Sequence, residues 1–265
     1  MSRCAWMGLA AGLALSGMLP GCGSQKGPKP LVVGMELTYP PFEMRDVQNR
    51  PDGIGVRLAE ALAESLGRPL QIEDLRFEGL IPALQTGKID LIISSMTATE
   101  ERAQTIDFSD GYVTNGLCML VAKDSPIAGA GDLEGSGRTI AVKLGTTGHI
   151  YARERLPKAK LSVLNHAETC VLEVIQGKAD AFIYDQISIY KHWEQHPEET
   201  RPILTPIRQE TWAIGVRKGE PELRDAVNGF LRRFREDKGF EALAQRYMDQ
   251  ERKAFAEMGV PFIFH

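Results

Sequence analysis

The sequence predicts an α/β protein of two lobes, each a mostly parallel sheet covered by helices. Short apolar runs that fit buried strands alternate with amphipathic segments that fit helices, a pattern typical of parallel sheets. In addition, GKIDLII at residues 87–93 returns as GKADAFI at residues 177–183, and each copy follows an apolar helical segment. We therefore expect both lobes to use the same helix–turn–strand unit.

Composition limits the class of protein. The chain has 265 residues, a net charge of −4 and 43% hydrophobic residues, which is typical of a globular protein. Its mild acidity argues against a nucleic acid partner, and no apolar run approaches the roughly 20 residues of a membrane span. We expect a first lobe at residues 31–117 and 213–265 and a second at 118–212, with the chain crossing between them twice.

The N-terminus predicts export. Residues 1–21 combine Arg3 with a short apolar core and fit a signal peptide, and residues 22–30 fit a flexible tether. Leu-Pro-Gly-Cys at 19–22 resembles a bacterial lipobox, in which Cys22 is acylated, although Pro20 is unusual there. The alternative is a plain signal peptide cut nearby. Export permits a disulfide, but the apolar neighbours of Cys118 and Cys170 favour two buried free thiols.

Aromatic and acidic residues follow the first predicted strand, residues 31–35. Glu36 comes directly after it, and Tyr39 precedes two prolines that exclude regular structure. Ligands of parallel sheets lie beyond the carboxyl ends of the strands, so Tyr39 could form a wall of a ligand site. Phe77 follows the next predicted strand in the same way. The alternative is that such an aromatic ring only covers the edge of the core.

The stretch Ile89 to Arg102 fits a receptor for a small anion. A buried strand at 91–93 leads to the hydroxyl groups of Ser95 and Thr97, and Thr99 is placed to cap a short helix. Arg102 falls in the first turn of that helix, where the helix dipole disfavours a cation. A guanidinium beside hydroxyls and free N–H groups suits a carboxylate. Alternatively, Arg102 pairs with an acid on the surface.

The second lobe offers a matching set of groups. Gly145 to Gly148 is a glycine-bracketed turn that opens a helix and directs the hydroxyl of Thr147 and backbone N–H groups at an anion. Asp185 follows the second repeated strand and can cap the helix predicted at 186–195 or bind a cation. If the lobes face each other, Arg102 and Asp185 present opposite charges across a cleft, which suits an α-amino acid. The apolar C-terminal residues 259–264 are expected to dock on the first lobe or to form a partner surface.

Five motifs in this order resemble a known family. The strings TYPPFE, FEGLIPALQTGKIDLIISSMTATEER, FSDGYV, LGTTG and GKADAFIYD are similar to the periplasmic solute-binding proteins of polar amino acid ABC transporters. This family includes histidine- and lysine/arginine/ornithine-binding proteins. The resemblance covers residues 31–247 and implies the type II periplasmic binding protein fold, with two crossing strands as a hinge. It also implies a binding protein outside the cytoplasm that delivers its ligand to a membrane permease and an ATPase. We expect a monomer, which the lipobox would anchor to the membrane through Cys22.

The resemblance also implies roles for single residues. Arg102, Thr97 and Thr147 would hold the α-carboxylate; Asp185 and Ser95 would hold the α-ammonium; Tyr39 and Phe77 would flank the side chain. Glu36 lies where relatives with basic ligands carry an acid, which favours a cationic amino acid. Relatives read GFDVDL where this chain reads GIGVRL at residues 53–58, so Arg57 is expected near the rim of the cleft, where it could favour an acidic ligand instead.

Two other functions remain open. The same fold resembles cyclohexadienyl dehydratase, for which Glu78, His149 or Glu173 would have to supply a general acid, but no acid–base spacing points to a catalytic pair. A receptor that signals rather than transports is the second alternative. The five histidines form no ligand-like motif, so neither a metal nor a cofactor is expected.

Overall fold

The computed structural model describes residues 27–135, 137–259 and 263. The predicted signal peptide and Cys22 lie outside this part of the chain, as does most of the predicted tether. Within the part described, no helix is both long enough and apolar enough to span a membrane.

Ten strands form two sheets among the described residues. They are β1 (Leu31–Met35), β2 (Met44–Arg45), β3 (Pro51–Asp52), β4 (Leu70–Asp74), β5 (Leu91–Ile92), β6 (Asp107–Ala122), β7 (Thr139–Lys143), β8 (Lys160–Leu164), β9 (Ala181–Asp185) and β10 (Thr200–Val216). The short strands β2 and β3 pair as a separate hairpin. The other eight form one sheet in the order β4-β1-β5-β10-β6-β9-β7-β8.

Two groups of parallel strands lie at the ends of this sheet and define the two lobes. In the first lobe β1 pairs in parallel with β4 and β5, and in the second β7 pairs in parallel with β8 and β9. The long strands β6 and β10 lie between the groups and pair antiparallel with each other along most of their length. Their pairing is interrupted by a register shift between Ile203 and Arg208. These are the two strands that cross between the lobes.

Helices cover both faces of each lobe. They are α1 (Ile54–Ser65), α2 (Phe77–Gln85), α3 (Glu100–Ala103), α4 (Thr147–Arg155), α5 (Ala167–Ile175), α6 (Gln186–Gln195), α7 (Pro221–Glu236), α8 (Gly239–Tyr247) and α9 (Asp249–Glu257), with a 3-10 turn at Ala130–Leu133. In the first lobe Leu91 packs in the core with α1 while Ile92 faces α2. In the second lobe Ala181 and Phe182 divide in the same way between the faces of α4 and α5. A sheet buried on both faces explains why these strands are continuous apolar runs.

The structure confirms the α/β class and contains elements that the sequence did not predict, among them the β2–β3 hairpin. Strand β8 and helix α9 were not predicted, because β8 is only half buried and α9 is strongly charged. The crossing strands, with 16 and 17 residues, are much longer than their apolar runs at 117–122 and 212–216, because many of their other residues are polar and give no apolar strand signal. Cys118 and Cys170 are buried free thiols, as predicted, and burial raises the pKa of Cys170 to about 12.

The C-terminal segment contacts a crossing strand. Ile263 is buried in the core of the first lobe, and its carbonyl accepts a hydrogen bond of 3.0 Å from the backbone N–H of Thr114 on β6. The prediction that the C-terminal segment docks on the first lobe is therefore confirmed for Ile263. Residues 260–262 and 264–265 lie outside the described part.

Candidate functional site

One cavity lies between the two lobes and encloses about 450 Å³ of space, including its mouth. Its walls come from the carboxyl ends of β1, β5 and β9, the first turn of α4 and the crossing strands. All eight ligand-contacting residues predicted from the sequence line it. The lining residues are Glu36, Tyr39, Phe77, Ser94, Ser95, Thr97, Arg102, Leu117, Thr146, Thr147, Tyr184, Asp185, Glu210 and Trp212.

Arg102 is a buried cation that carries no direct ion pair. The hydroxyl of Thr99 caps α3 by accepting a hydrogen bond from the Arg102 backbone N–H, and the side chain folds back from that turn. Its Nη1 donates to the carbonyl of Thr97 (2.7 Å) and its Nη2 to the carbonyl of Gly145 in the other lobe (3.0 Å). Neither acceptor is a carboxylate, and among the described residues no acid lies within ion-pair distance. The alternative of a surface ion pair is therefore wrong.

Burial and the nearby carboxylates shift the pKa of Arg102 in opposite directions. The residue is only 6% exposed, and burial lowers the pKa of its guanidinium to about 10, while the carboxylate of Glu210 raises it. The guanidinium carbon also lies 5.4 Å from the ring centre of Phe77. A buried cation is costly without a counter-charge, so this group favours an anionic partner in the cavity.

Asp185 supplies a negative charge on the wall of the second lobe. It caps α6, because its Oδ1 accepts hydrogen bonds from the backbone N–H of Ser188 (3.0 Å) and from Nδ2 of Asn115 (3.4 Å). Capping thus coexists with a position on the cavity wall. The nearby hydroxyl of Tyr39 is buried with no hydrogen-bond partner among the described residues. Burial, with the charge of Asp185, raises the pKa of Tyr39.

Glu36 is already paired with a cation from the opposite lobe. Its Oε2 forms a buried salt bridge with Lys143 at the end of β7, and its Oε1 accepts a hydrogen bond from the backbone N–H of Phe77 (3.3 Å). The Lys143 ammonium lies 5.9 Å from the ring centre of Phe77. This end of the cavity is therefore lined by a carboxylate, Glu36, whose counter-ion is the buried ammonium of Lys143.

Ser95 is hydrogen-bonded to another buried acid, Glu43. Its hydroxyl donates to Oε2 of Glu43 (2.9 Å), and burial raises the pKa of Glu43. Gly55 makes room for this carboxylate, since a Cβ there would come within 2.2 Å of Glu43 Oε1. Residue 55 is one of the positions where the acids of the GFDVDL pattern are missing. Glu43 places a carboxylate beside that position from a different part of the chain.

The buried acid Glu210 joins the two lobes. Oε2 of Glu210 accepts hydrogen bonds from the hydroxyl of Thr97 in the first lobe (3.0 Å) and of Thr147 in the second (2.7 Å). Its Oε1 accepts from Arg208, at 2.7 Å from Nη2 and 3.1 Å from Nε. Thr147 reaches this position because Gly148 allows α4 to approach the backbone of β9, where a Cβ would lie 2.4 Å from the carbonyl oxygen of Ile183.

Some expectations about the cleft were wrong. Arg57 does not line the cavity: its guanidinium pairs with Asp52 and Glu60 and bonds to the hydroxyl of Tyr247. Its charge is balanced by these two acids outside the cavity lining, so it gives no reason to expect an acidic ligand. The three acids or bases considered for a dehydratase, Glu78, His149 and Glu173, are likewise absent from the cavity wall. Among the described residues no group of His, Cys, Asp or Glu is arranged to hold a metal ion.

Sequence reasoning missed Lys143, Glu43 and Glu210. Lys143 had a usable signal, because it ends a parallel strand and the ends of such strands meet at the ligand site. Glu210 had none, since it belongs to a polar part of β10 that looks like a loop until the antiparallel pairing with β6 is known. Glu43 is hidden for a similar reason, in a hairpin whose packing depends on the absence of a side chain at Gly55.

Comparisons with known proteins agree with this architecture. Residues 31–250 match the family model for bacterial extracellular solute-binding proteins, family 3. The arginine-binding extracellular protein ArtP of Bacillus subtilis (strain 168) is 30% identical over 256 residues, which cover 93% of this chain and 99% of that protein.

Two solved structures share the fold. The ancestral amino acid-binding protein AncCDT-1, described as a precursor of cyclohexadienyl dehydratase, is 35% identical with a TM-score of 0.75, and the match covers 82% of this chain and 94% of that one. An ancestral arginine-binding protein bound to arginine is 31% identical with a TM-score of 0.77, covering 83% and 98%. With two lobes, crossing strands and a polar cleft between them, this chain belongs to the bacterial extracellular solute-binding proteins of family 3.

Proposed function

We propose that this protein binds an α-amino acid in the cavity between its lobes and delivers it to the membrane permease of an ABC transporter. The observation that carries the proposal is the pairing of two charges on one cavity. Arg102 of the first lobe is buried without a carboxylate partner, and Asp185 of the second lobe lines the same space. An α-amino acid carries a carboxylate and an ammonium group on one carbon and matches this arrangement.

The polar groups suffice for useful affinity. A guanidinium and a carboxylate can form two parallel hydrogen bonds, which fix orientation as well as energy. Hydrogen bonds to charged groups contribute about 1.5–3 kcal/mol each, and micromolar binding requires about 8 kcal/mol. Arg102, Asp185, Ser95 and the first turn of α4 offer enough such bonds. Tyr39 and Phe77 would flank the side chain, and the unpartnered hydroxyl of Tyr39 gives a further donor or acceptor.

Binding would be coupled to closure of the lobes. The ligand contacts residues 31–117 and 213–265 on one side and residues 118–212 on the other, so it binds the closed form better and shifts the population toward it. The crossing strands β6 and β10 would act as the hinge. The permease and its ATPase would recognise the closed monomer, which acylation of Cys22 would hold at the outer face of the membrane.

The Glu36–Lys143 pair bears on the identity of the side chain. A cationic amino acid is predicted on the basis of Glu36, but Lys143 already neutralises that carboxylate. A cationic side chain would lie beside the Lys143 ammonium or have to displace it, whereas an uncharged polar side chain can donate to one partner and accept from the other. The cationic preference stays a prediction, with an uncharged polar side chain as its competitor.

A thermal-shift screen tests the proposal. The purified protein is melted with each of the twenty common amino acids, with ornithine and with citrulline, and each stabilising ligand is then titrated by calorimetry. Arginine and citrulline form a matched pair, because they share length and shape but differ in charge. Stabilisation by at least one amino acid is expected, and the arginine-to-citrulline ratio decides the side-chain class. Absence of any shift would refute the proposal, and turnover of prephenate or arogenate would assign the dehydratase alternative instead.

A further inference from the structure

Glu210 holds a position that a ligand would be expected to use. Its carboxylate is 6% exposed and lies on the cavity wall, where one oxygen accepts hydrogen bonds from the hydroxyls of Thr97 and Thr147. These two hydroxyls belong to opposite lobes and line the same cavity as Arg102, whose Nη1 donates to the backbone carbonyl of Thr97. We call this set, the hydroxyls of Thr97 and Thr147 beside Arg102, the carboxylate seat.

A ligand carboxylate and Glu210 compete for the same donors. Each hydroxyl has one proton to donate, and both protons are directed at Oε2 of Glu210. An amino acid carboxylate that binds Arg102 therefore meets two donors that are already engaged and a second negative charge nearby. Two carboxylates in one poorly solvated site repel each other, so both cannot bind there without a cost.

We infer that Glu210 is an internal substitute for the ligand's carboxylate, which bridges the lobes of the empty protein and has to leave the carboxylate seat when an amino acid binds. This inference rests on the proposed function. According to this inference, Glu210 lowers the affinity for the amino acid, whereas Arg102 raises it.

Arg208 makes the displacement feasible. It binds the other oxygen of Glu210 through Nε and Nη2, and its own side chain is 36% exposed. Glu210 can thus move out of the seat and keep a cation as its partner. The register shift of β10 ends directly before this pair, and Arg208 and Glu210 themselves pair in regular register with Leu117 and Asn115, so the displacement involves their side chains alone.

The first test removes the charge and keeps the shape. Glu210→Gln is titrated by calorimetry with the best amino acid from the screen and with its α-amide, which lacks the carboxylate. We expect the variant to bind the amino acid about tenfold more tightly, because the hydroxyls are no longer held by a charged acceptor. Binding of the α-amide should change by less than about twofold, since it brings no charge to repel. Glu199→Gln, at an exposed acid just before β10, is the matched control.

The opposite result would overturn the inference. If Glu210 contacts the ligand's ammonium group, Glu210→Gln weakens binding of the amino acid and of the α-amide alike. Unchanged affinity for both would also refute it. If the glutamine variant does not fold, Glu210→Asp retains the charge next to Arg208 but withdraws the carboxylate from the hydroxyls, and it too should tighten binding.

A second measurement needs no ligand. Glu210→Ala removes the bridge between Thr97 and Thr147, so small-angle X-ray scattering should show a larger radius of gyration for the empty variant than for the empty wild type. Equal radii would refute the bridging role. If no amino acid binds either protein while the variant still opens, the proposed function fails and the bridge formed by Glu210 stands.

Discussion

The two copies of the repeated unit, residues 87–93 and 177–183, agree in their scaffold and differ in the residues that come after the strand. Each begins at a glycine with positive φ, 76° at Gly87 and 68° at Gly177, a conformation that favours glycine. Each then places an aspartate whose carboxylate accepts a hydrogen bond from a strand N–H: Asp90 from Val32 (3.1 Å) and Asp180 from Thr139 (2.7 Å).

The similarity extends to the partners of these aspartates. Asp90 also binds Arg68 at 2.8 Å, and Asp180 binds Arg138 at the same distance. Beyond the strands the likeness ends. After β5 the chain places Ser95, Thr97 and Arg102 at the cavity, whereas β9 ends at Asp185, which caps α6. The repeated part builds the lobes, and the parts that differ supply opposite charges.

The largest expected effect concerns Arg102. Arg102→Ala should reduce amino acid affinity at least about 100-fold, because it removes the cation that pairs with the α-carboxylate in a buried site. Calorimetry with the ligand found in the screen measures this loss. The free energy of unfolding of the empty protein should change little, since the guanidinium bonds only to backbone carbonyls.

Arg153→Ala is the matched control for this variant. Arg153 is exposed on α4 and lines no part of the cavity, so its removal should leave affinity unchanged. Wild-type affinity in Arg102→Ala would end the argument that the chain after β5 carries the anion site.

The next effect tests the shared scaffold. Asp90→Asn should lower the free energy of unfolding by about 2–3 kcal/mol, because it leaves Arg68 without its buried partner. Asp180→Asn should cost only about 1 kcal/mol, since Asp180 and Arg138 are more exposed and their pair is screened by solvent. Urea unfolding measures both. A changed ligand affinity of the folded protein in either variant would show that these aspartates affect the binding site and do not only stabilise the lobes.

A smaller loss of affinity, limited to ligands that carry an α-ammonium group, is expected at Asp185. Asp185→Asn removes the charge but keeps a side chain that caps helices well, so stability should be nearly unchanged. Affinity for the amino acid should fall about tenfold, or 1.4 kcal/mol, while affinity for its des-amino analogue should stay the same. Titration of both ligands against both proteins gives the ratio. Equal discrimination in the two proteins would show that Asp185 is only a cap.

Residues that follow a strand were predictable because the rule for parallel sheets places them without knowledge of the packing. The cavity contains Tyr39, Thr97, Arg102 and Asp185 for this reason. The helix cap at Thr99 was predictable as well, since capping depends on neighbouring residues alone.

Contacts that depend on how the chain packs could not be predicted, whether the partner lies near or far in sequence. Arg57 is close to the cleft along the chain, but the turn of α1 brings it to Asp52 and Tyr247. Glu36 was identified, yet its neutralisation by Lys143 joins residues that are 107 positions apart. The charge of a site therefore follows from pairings across the cleft that no local pattern contains.

The smallest expected effect concerns Glu43, which supports the chain after β5. Burial raises the pKa of Glu43 above the usual 4.5, so the folded protein holds this proton to a higher pH than the unfolded chain does. The resulting stabilisation is complete below pH 4.5 and is lost as the pH rises through the raised pKa. Glu43→Gln cannot ionise, so its advantage over the wild type in free energy of unfolding should be larger at pH 8 than at pH 4. Glu64→Gln, at an exposed acid of α1, should show no such trend in urea unfolding across this range. If the difference in free energy of unfolding between Glu43→Gln and the wild type did not change with pH, Glu43 would be charged in the folded state. The hydroxyl of Ser95 would then donate to an ionised carboxylate.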